Sequence, residues 1–210
     1  MAKLKSRSRP GIFITFEGTE GAGKSTQAAL LADALCARGL PVLRTREPGG
    51  APGSERLRTL LLSGEIDWAS RTEAMLHFAA RIEHVEKTIK PALAAGMWVI
   101  CDRFFDSTLA YQGYGQGAEK DFIRQLIGLV GLIPDLTLML EVSPATSASR
   151  LRSRGQASDR YERLDEAFHA RVAAGFAEIA AAEPNRCVRI DANGNLESVH
   201  AAIMEAVLGG

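Results

Sequence analysis

Short apolar blocks alternate along the chain with longer stretches in which apolar residues recur every three or four positions. The blocks are Ile12–Phe16 (IFITF), Pro41–Arg46 (PVLRTR), Trp98–Asp102 (WVICD), Leu136–Val142 (LTLMLEV) and Cys187–Asp191 (CVRID). Their length and their β-branched and aromatic content predict buried parallel strands. Helical periodicity covers Ser25–Arg38, Ser54–Ser63, Thr72–Ala95, Glu119–Gly131, Ala145–Arg154, Asp165–Ala182 and Leu196–Leu208. Strand–helix alternation predicts βαβ crossovers. The expected fold is therefore α/β: a three-layer α/β/α sandwich around a five-stranded parallel sheet. Glu47-Pro48-Gly49-Gly50, Gly113–Gly117 (GYGQG) and Ser153–Asp159 (SRGQASD) read as loops. In an open parallel sheet, loops at the carboxyl ends of the strands hold the ligand.

Composition narrows the partners. The 210 residues carry 25 Lys plus Arg and 25 Asp plus Glu, a formal net charge of zero. That balance argues against a general nucleic-acid binder. No apolar stretch approaches the length of a membrane span, so no membrane association is expected. Cys36, Cys101 and Cys187 are too scattered for a disulfide framework or a zinc site and suit a reducing cytoplasm. Residues 1–10, with Lys3, Lys5, Arg7 and Arg9, read as a flexible basic arm before one domain spanning 11–210.

Gly18-Thr19-Glu20-Gly21-Ala22-Gly23-Lys24-Ser25, followed by Thr26, fits G-x-x-x-x-G-K-[ST] between the first strand and the first helix. The glycines let successive backbone N–H groups turn around a phosphate, and the helix N-terminus adds its dipole. Lys24 supplies a mobile cation for the β- and γ-phosphates, and Ser25 a hard oxygen for Mg²⁺. Asp102 ends the third strand beside this loop, where an acid can order Mg²⁺. Arg103 follows it and can clamp a second phosphate with its guanidinium fork. No N-K-x-D signature is present, which argues against a small GTPase. A regulatory ATPase has no need of a second anion site, whereas a kinase for a phosphorylated small molecule does. Kinases acting on dUMP, dCMP or a deoxynucleoside are the neighbouring alternatives.

Seven blocks in order carry a family resemblance: FEGTEGAGKST (Phe16–Thr26), TREPGG (Thr45–Gly50), FAAR (Phe78–Arg81), IKPAL (Ile89–Leu93), CDRFFDSTLAYQG (Cys101–Gly113), PDLTLMLEV (Pro134–Val142) and RLRSRGQASDRYE (Arg150–Glu162). With them the chain resembles the bacterial thymidylate kinases, P-loop nucleoside monophosphate kinases that make dTDP from dTMP and ATP for dTTP synthesis. The resemblance implies a short arginine-rich lid at about 150–163, ATP as phosphoryl donor with Mg²⁺, small-molecule substrates, and a homodimer. It implies that Glu20 accepts from the sugar 3′-hydroxyl and helps hold Mg²⁺ with Ser25 and Asp102. Arg103 holds the dTMP phosphate with help from Arg58, and Arg81 donates to a thymine carbonyl. Gln112 bonds the base edge near Ser107 and Thr108, and Tyr111 fills the place of a ribose 2′-hydroxyl. A cis Glu47–Pro48 bond brings Glu47 toward the acceptor.

The aromatic that stacks on the base in many relatives lies four residues before this arginine. That position is His77 here, with Phe78 beside it. Phe78 is the expected stacking ring and His77 the alternative. Some relatives carry a catalytic arginine within the phosphate loop, where this chain has Gly21, so the lid must supply it. Arg154 and Arg160 are expected to close over the γ-phosphate.

Overall fold

The computed structural model describes residues 10–154, 160–161 and 164–209. Of the sequence expectations, the basic arm up to residue 9 and lid residues 155–159, 162 and 163 lie outside the described residues, as does the side chain of Arg154. Five strands form one parallel sheet: β1 (Ile12–Glu17), β2 (Val42–Arg46), β3 (Trp98–Asp102), β4 (Leu136–Glu141) and β5 (Cys187–Asp191). Their spatial order is β2-β3-β1-β4-β5. The chain thus reverses direction across the sheet on either side of β1, which opens a crevice at its carboxyl end.

Alternation along β1 divides the core. Ile12, Ile14 and Phe16 pack with Leu31, Leu35, Leu138 and Ile203 on one face. Phe13 packs with Val99, Phe104, Met139 and Phe176 on the other. Thr15 and Glu17 share the face of Phe13, because side chains alternate along a strand. Helices α1 (Lys24–Cys36) and α9 (Leu196–Leu208) pack together against the first face.

The second face carries the helices that build the crevice. After β2, α2 (Pro52–Leu62) packs on α3 (Ser70–His84). Helix α3 runs through a π-helical turn (Val85–Ile89) into α4 (Lys90–Ala94). One helix was expected over this stretch. Pro91 has no N–H to give, and the turn before it widens so that Lys90 N–H reaches Val85 O.

The segment after β3 departs most from the sequence pattern. Gly113–Gly117 read as a loop, but α5 (Phe105–Thr108) continues into a π-helical segment (Leu109–Gly115). Packing overrides the weak propensity of its glycines. Gly115 lies under α8 (Glu166–Ala182), where an added Cβ would sit 2.5 Å from the Phe168 ring. The fold is completed by α6 (Lys120–Val130) and α7 (Pro144–Arg154).

Candidate active site

The turn from β1 into α1 is shaped by close backbone approach. Gly18 has φ +134°, and a Cβ there would lie 2.3 Å from Leu140 O. Gly21 has φ +70°, and its Cβ would meet Ser147 O of α7 at 2.8 Å. No side chain fits at position 21 without moving α7. Lys24 Nζ donates to Gly18 O at 3.0 Å and to Thr19 O at 2.7 Å. Burial, reinforced by Arg103, lowers the Lys24 ammonium to about 8. An arriving phosphate would reverse that shift by supplying the missing countercharge.

A cleft of about 470 Å³ opens from this loop. Its walls include Glu20, Gly21 and Gly23–Thr26 from the loop, Arg46–Pro48 from the end of β2, and Arg58 and Leu62 from α2. His77 and Arg81 reach it from α3, and Asp102, Arg103, Ser107, Thr108, Tyr111 and Gln112 from the β3–α5 region. Gly18, Thr19 and Ala22 shape the loop without lining the cleft.

Arg103 stands at the centre. It holds φ +69°, a conformation that costs a side-chain-bearing residue about 1–2 kcal/mol. That geometry sends its guanidinium back over the phosphate loop. Nη1 donates to Gly18 O at 3.3 Å and Ser107 Oγ at 3.0 Å, and Nη2 pairs with Glu20 Oε1. The guanidinium lies 5.1 Å over the Tyr111 ring, whose hydroxyl donates to Glu20 Oε1 at 3.1 Å. Glu20 is thereby tied to the Arg103 side of the cleft. Asp102 Oδ2 accepts from Ser25 Oγ, and Asp102 Oδ1 is buried with no partner among the described residues.

Beneath Arg103 lies an acid the motifs did not single out. Glu17 is fully buried and accepts from Phe104 N at 2.7 Å, Ser107 N at 3.2 Å and Ser107 Oγ at 2.6 Å. Burial first, and the charge of Asp106 second, raise its carboxyl to about 7. Its acceptors fix the turn that carries Arg103 into α5. The available signal was an acid ending an otherwise apolar strand.

The far end of the cleft is built on α3. Glu73, His77, Arg81 and His84 follow one another at helical spacing, and all are buried. Arg81 Nε donates to Glu47 Oε2 at 2.7 Å. Arg81 Nη2 donates to Phe104 O at 3.0 Å and Thr108 Oγ1 at 3.2 Å. Arg81 Nη1 is buried without a partner among the described residues. Glu47 precedes a cis proline, as expected, and Arg58 Nη1 donates to Pro48 O at 2.7 Å.

Two expectations need correction. Phe78 does not line the cleft. It is 2% exposed within the apolar core, with the Arg81 guanidinium 4.6 Å over its ring. One helical step turns it inward, and His77 takes the wall position. Arg160 is not among the cleft-lining residues either: its Nη1 lies 2.9 Å from Glu73 Oε2 and its Nη2 3.3 Å from Asp67. Glu73 is fully buried, and a carboxylate there needs a countercharge. Arg150 touches the phosphate loop, its Nη1 donating to Gly21 O at 3.3 Å, though it too is not among the cleft-lining residues.

Sequence comparison places these features in a family. The thymidylate kinase family model matches residues 16–203. The thymidylate kinase of Gluconobacter oxydans is 55% identical over 201 residues, covering 94% of both chains. That of Rhizorhabdus wittichii is 54% identical over 202 residues, covering 94% of this chain and 97% of its own. The crystal structure of thymidylate kinase from Ehrlichia chaffeensis is similar to this fold with a TM-score of 0.78 at 37% identity, covering 94% of this chain and 98% of that one.

Proposed function

The chain belongs to the thymidylate kinase family, and from that premise we propose that it transfers the γ-phosphoryl group of ATP to the phosphate of dTMP, giving ADP and dTDP. One observation carries the assignment of sites. Lys24 and Arg103, from opposite walls, converge on the same carbonyl oxygen of Gly18, at 3.0 and 3.3 Å. Two cations so close are arranged for two anions meeting between them. The donor phosphates lie on the loop and Lys24, and the acceptor phosphate on Arg103 with Arg58.

The acceptor phosphate is already an anion near neutral pH, so no general base is required. Catalysis is positioning and charge neutralisation. Arg103 aims the attacking oxygen. Lys24 and the lid arginines, Arg150 beside Gly21 and Arg154 one turn on, meet charge on the transferred group. Ser25 and Asp102 fit Mg²⁺: both offer hard oxygens, and Asp102 Oδ1 is a buried acceptor with no partner among the described residues. When bound, the ion neutralises charge on the β- and γ-phosphate oxygens.

At the acceptor side, Arg81 Nη1 donates to a thymine carbonyl and Gln112 bonds the base edge. Glu20 meets the 3′-hydroxyl and Tyr111 excludes a 2′-hydroxyl. His77 forms the wall that Phe78 was expected to form. The chain acts in the cytoplasm as a homodimer. Support for the dimer is the exposed pair Met75 and Ile82, seven residues apart on one face of α3. None of the described helices is long and apolar enough to cross a membrane.

The direct test is ADP release with ATP and Mg²⁺ across a panel of monophosphates. We expect dTMP to exceed dUMP, dCMP and UMP in kcat/KM. Equal or faster turnover of dCMP or UMP would overturn the assignment.

A further inference from the structure

The base end of the cleft is closed by a hydrogen-bond network built around one buried carboxylate. Its centre is Glu73, on α3 and fully buried. Glu73 Oε1 accepts from Tyr161 Oη at 2.5 Å, Gln112 Nε2 at 2.8 Å and Gln116 Nε2 at 3.1 Å. A phenol has one proton, and Tyr161 gives it to Glu73. The Tyr161 oxygen therefore accepts from its other neighbours, Gln112 Nε2 at 3.1 Å and His77 Nε2 at 3.0 Å. His77 carries its proton on Nε2 in consequence. Its ring stays neutral, because burial, then Arg81, Arg103 and Arg160, push it down to about 3.

The Gln112 amide nitrogen thus faces Glu73 Oε1 and Tyr161 Oη together, on the side of the amide away from its carbonyl oxygen. Inverting the amide would set its carbonyl oxygen against a carboxylate and leave Tyr161 without that donor. We infer that Glu73, acting with Tyr161, is a positioning residue for base selection: it holds Gln112 with its carbonyl oxygen as the group presented to the cleft, which admits a pyrimidine carrying N3–H and a 4-oxo group and rejects one carrying a bare N3 and a 4-amino group. This rests on the reading of dTMP as acceptor.

The second half of the pattern is Arg81 Nη1, a donor with no partner among the described residues. Its sister nitrogen Nη2 binds Thr108, four residues before Gln112. Arg81 and Gln112 both line the cleft, so an acceptor and a donor border the same space. Thymine and uracil present the complementary donor and acceptor. Cytosine presents both reversed, and a site built to hydrogen-bond a substrate edge rejects its mismatch strongly.

The experiment measures kcat/KM for dTMP, dUMP and dCMP in wild type, Glu73→Gln and Tyr161→Phe. A glutamine at 73 offers both a donor and an acceptor, so the Gln112 amide is free to turn. We expect the dTMP:dCMP ratio to fall about tenfold or more in Glu73→Gln and by a smaller factor in Tyr161→Phe, the loss lying in the dTMP KM rather than in kcat. The dTMP:dUMP ratio stays within about twofold, because the two bases share the edge being read. A pocket that has merely loosened lowers both ratios together, and that result would overturn the proposal. So would an unchanged dTMP:dCMP ratio in a folded Tyr161→Phe, which decides the matter should Glu73→Gln not fold. Wild-type enzyme that ignores dTMP defeats the acceptor assignment itself, a result recognisable before any variant is made.

Discussion

Arg81 Nε and Glu47 Oε2 stand 2.7 Å apart with both side chains 2% exposed, joining α3 to the loop after β2. Glu47 Oε1 accepts from His84 Nδ1 at 3.0 Å, and Thr45 Oγ1 lies 2.8 Å from His84 Nε2. The loop is therefore anchored at both ends of one imidazole. Removing the carboxylate strands a buried guanidinium. We expect Glu47→Ala to lose about 3 kcal/mol of stability. The dTMP KM should also rise about tenfold or more, because Arg81 loses the partner that aims it. Urea unfolding and initial rates check both. A variant as stable as wild type would show that the pair contributes nothing net.

Arg103 combines a strained backbone with a side chain that lines the cleft, so two substitutions separate the two. Arg103→Ala and Arg103→Gly both remove the guanidinium that faces Gly18, Ser107 and Glu20. Each should lower dTMP phosphorylation about 100-fold or more while ATP binding persists. Only glycine adopts φ +69° without penalty, so Arg103→Gly should be about 1 kcal/mol more stable than Arg103→Ala. Equal stability in the two variants would mean that the turn relaxes, and near-normal turnover in either would remove Arg103 from the acceptor site.

The central strands β1 and β4 were legible as nearly continuous buried blocks, and the edge strands β2 and β5, which carry exposed charges, by their short β-branched runs; all five blocks became strands of the sheet. That Lys24 and Arg103 line one cleft was legible because each belongs to a short motif at the carboxyl end of a strand. Helix α3 resisted for the opposite reason. Its buried positions mix Glu73, His77, Arg81 and His84 with Ala74, Phe78 and Ala80, while Met75 and Ile82 are exposed. A helix that packs on the core with one side and lines a polar cleft with the next buries both kinds of residue, so periodicity cannot show which neighbour faces the cleft. Phe78 was misplaced by one helical step, since it and His77 are both buried. Glu73 and Tyr161 lie 88 residues apart, and nothing local to either announces the hydrogen bond between them. Arg160 was read as a mobile cation because its partner, a buried carboxylate, belongs to another helix.

Asp102 offers the clearest test of metal binding. Its Oδ2 is engaged by Ser25 and its Oδ1 is a buried acceptor with no partner among the described residues. Asp102→Asn keeps the shape and removes the charge. We expect the Mg²⁺ concentration for half-maximal rate to rise about tenfold or more, with ATP affinity measured without metal little changed. An unaltered Mg²⁺ profile would place the ion elsewhere.

His77 makes stability depend on pH in a direction its surroundings dictate. Its imidazole is 8% exposed, and burial, then the charges of Arg81, Arg103 and Arg160, push it down to about 3. In the unfolded chain the ring titrates near its ordinary value, about 6.5. Between those values the unfolded state binds a proton that the folded state refuses, so acid favours unfolding. The contribution is flat above about pH 7, and by pH 5 it removes about 2 kcal/mol. His77→Phe keeps a ring at the wall and deletes the titration. At pH 7 that variant should be less stable than wild type by about 1 kcal/mol, since it loses the Tyr161 hydrogen bond. At pH 5 the order should reverse, the gap having moved by about 2 kcal/mol in favour of the variant. Urea titrations of both proteins at the two pH values decide it. A gap independent of pH would mean that His77 accepts its proton in the folded state, and that Tyr161 and Glu73 rearrange to let it.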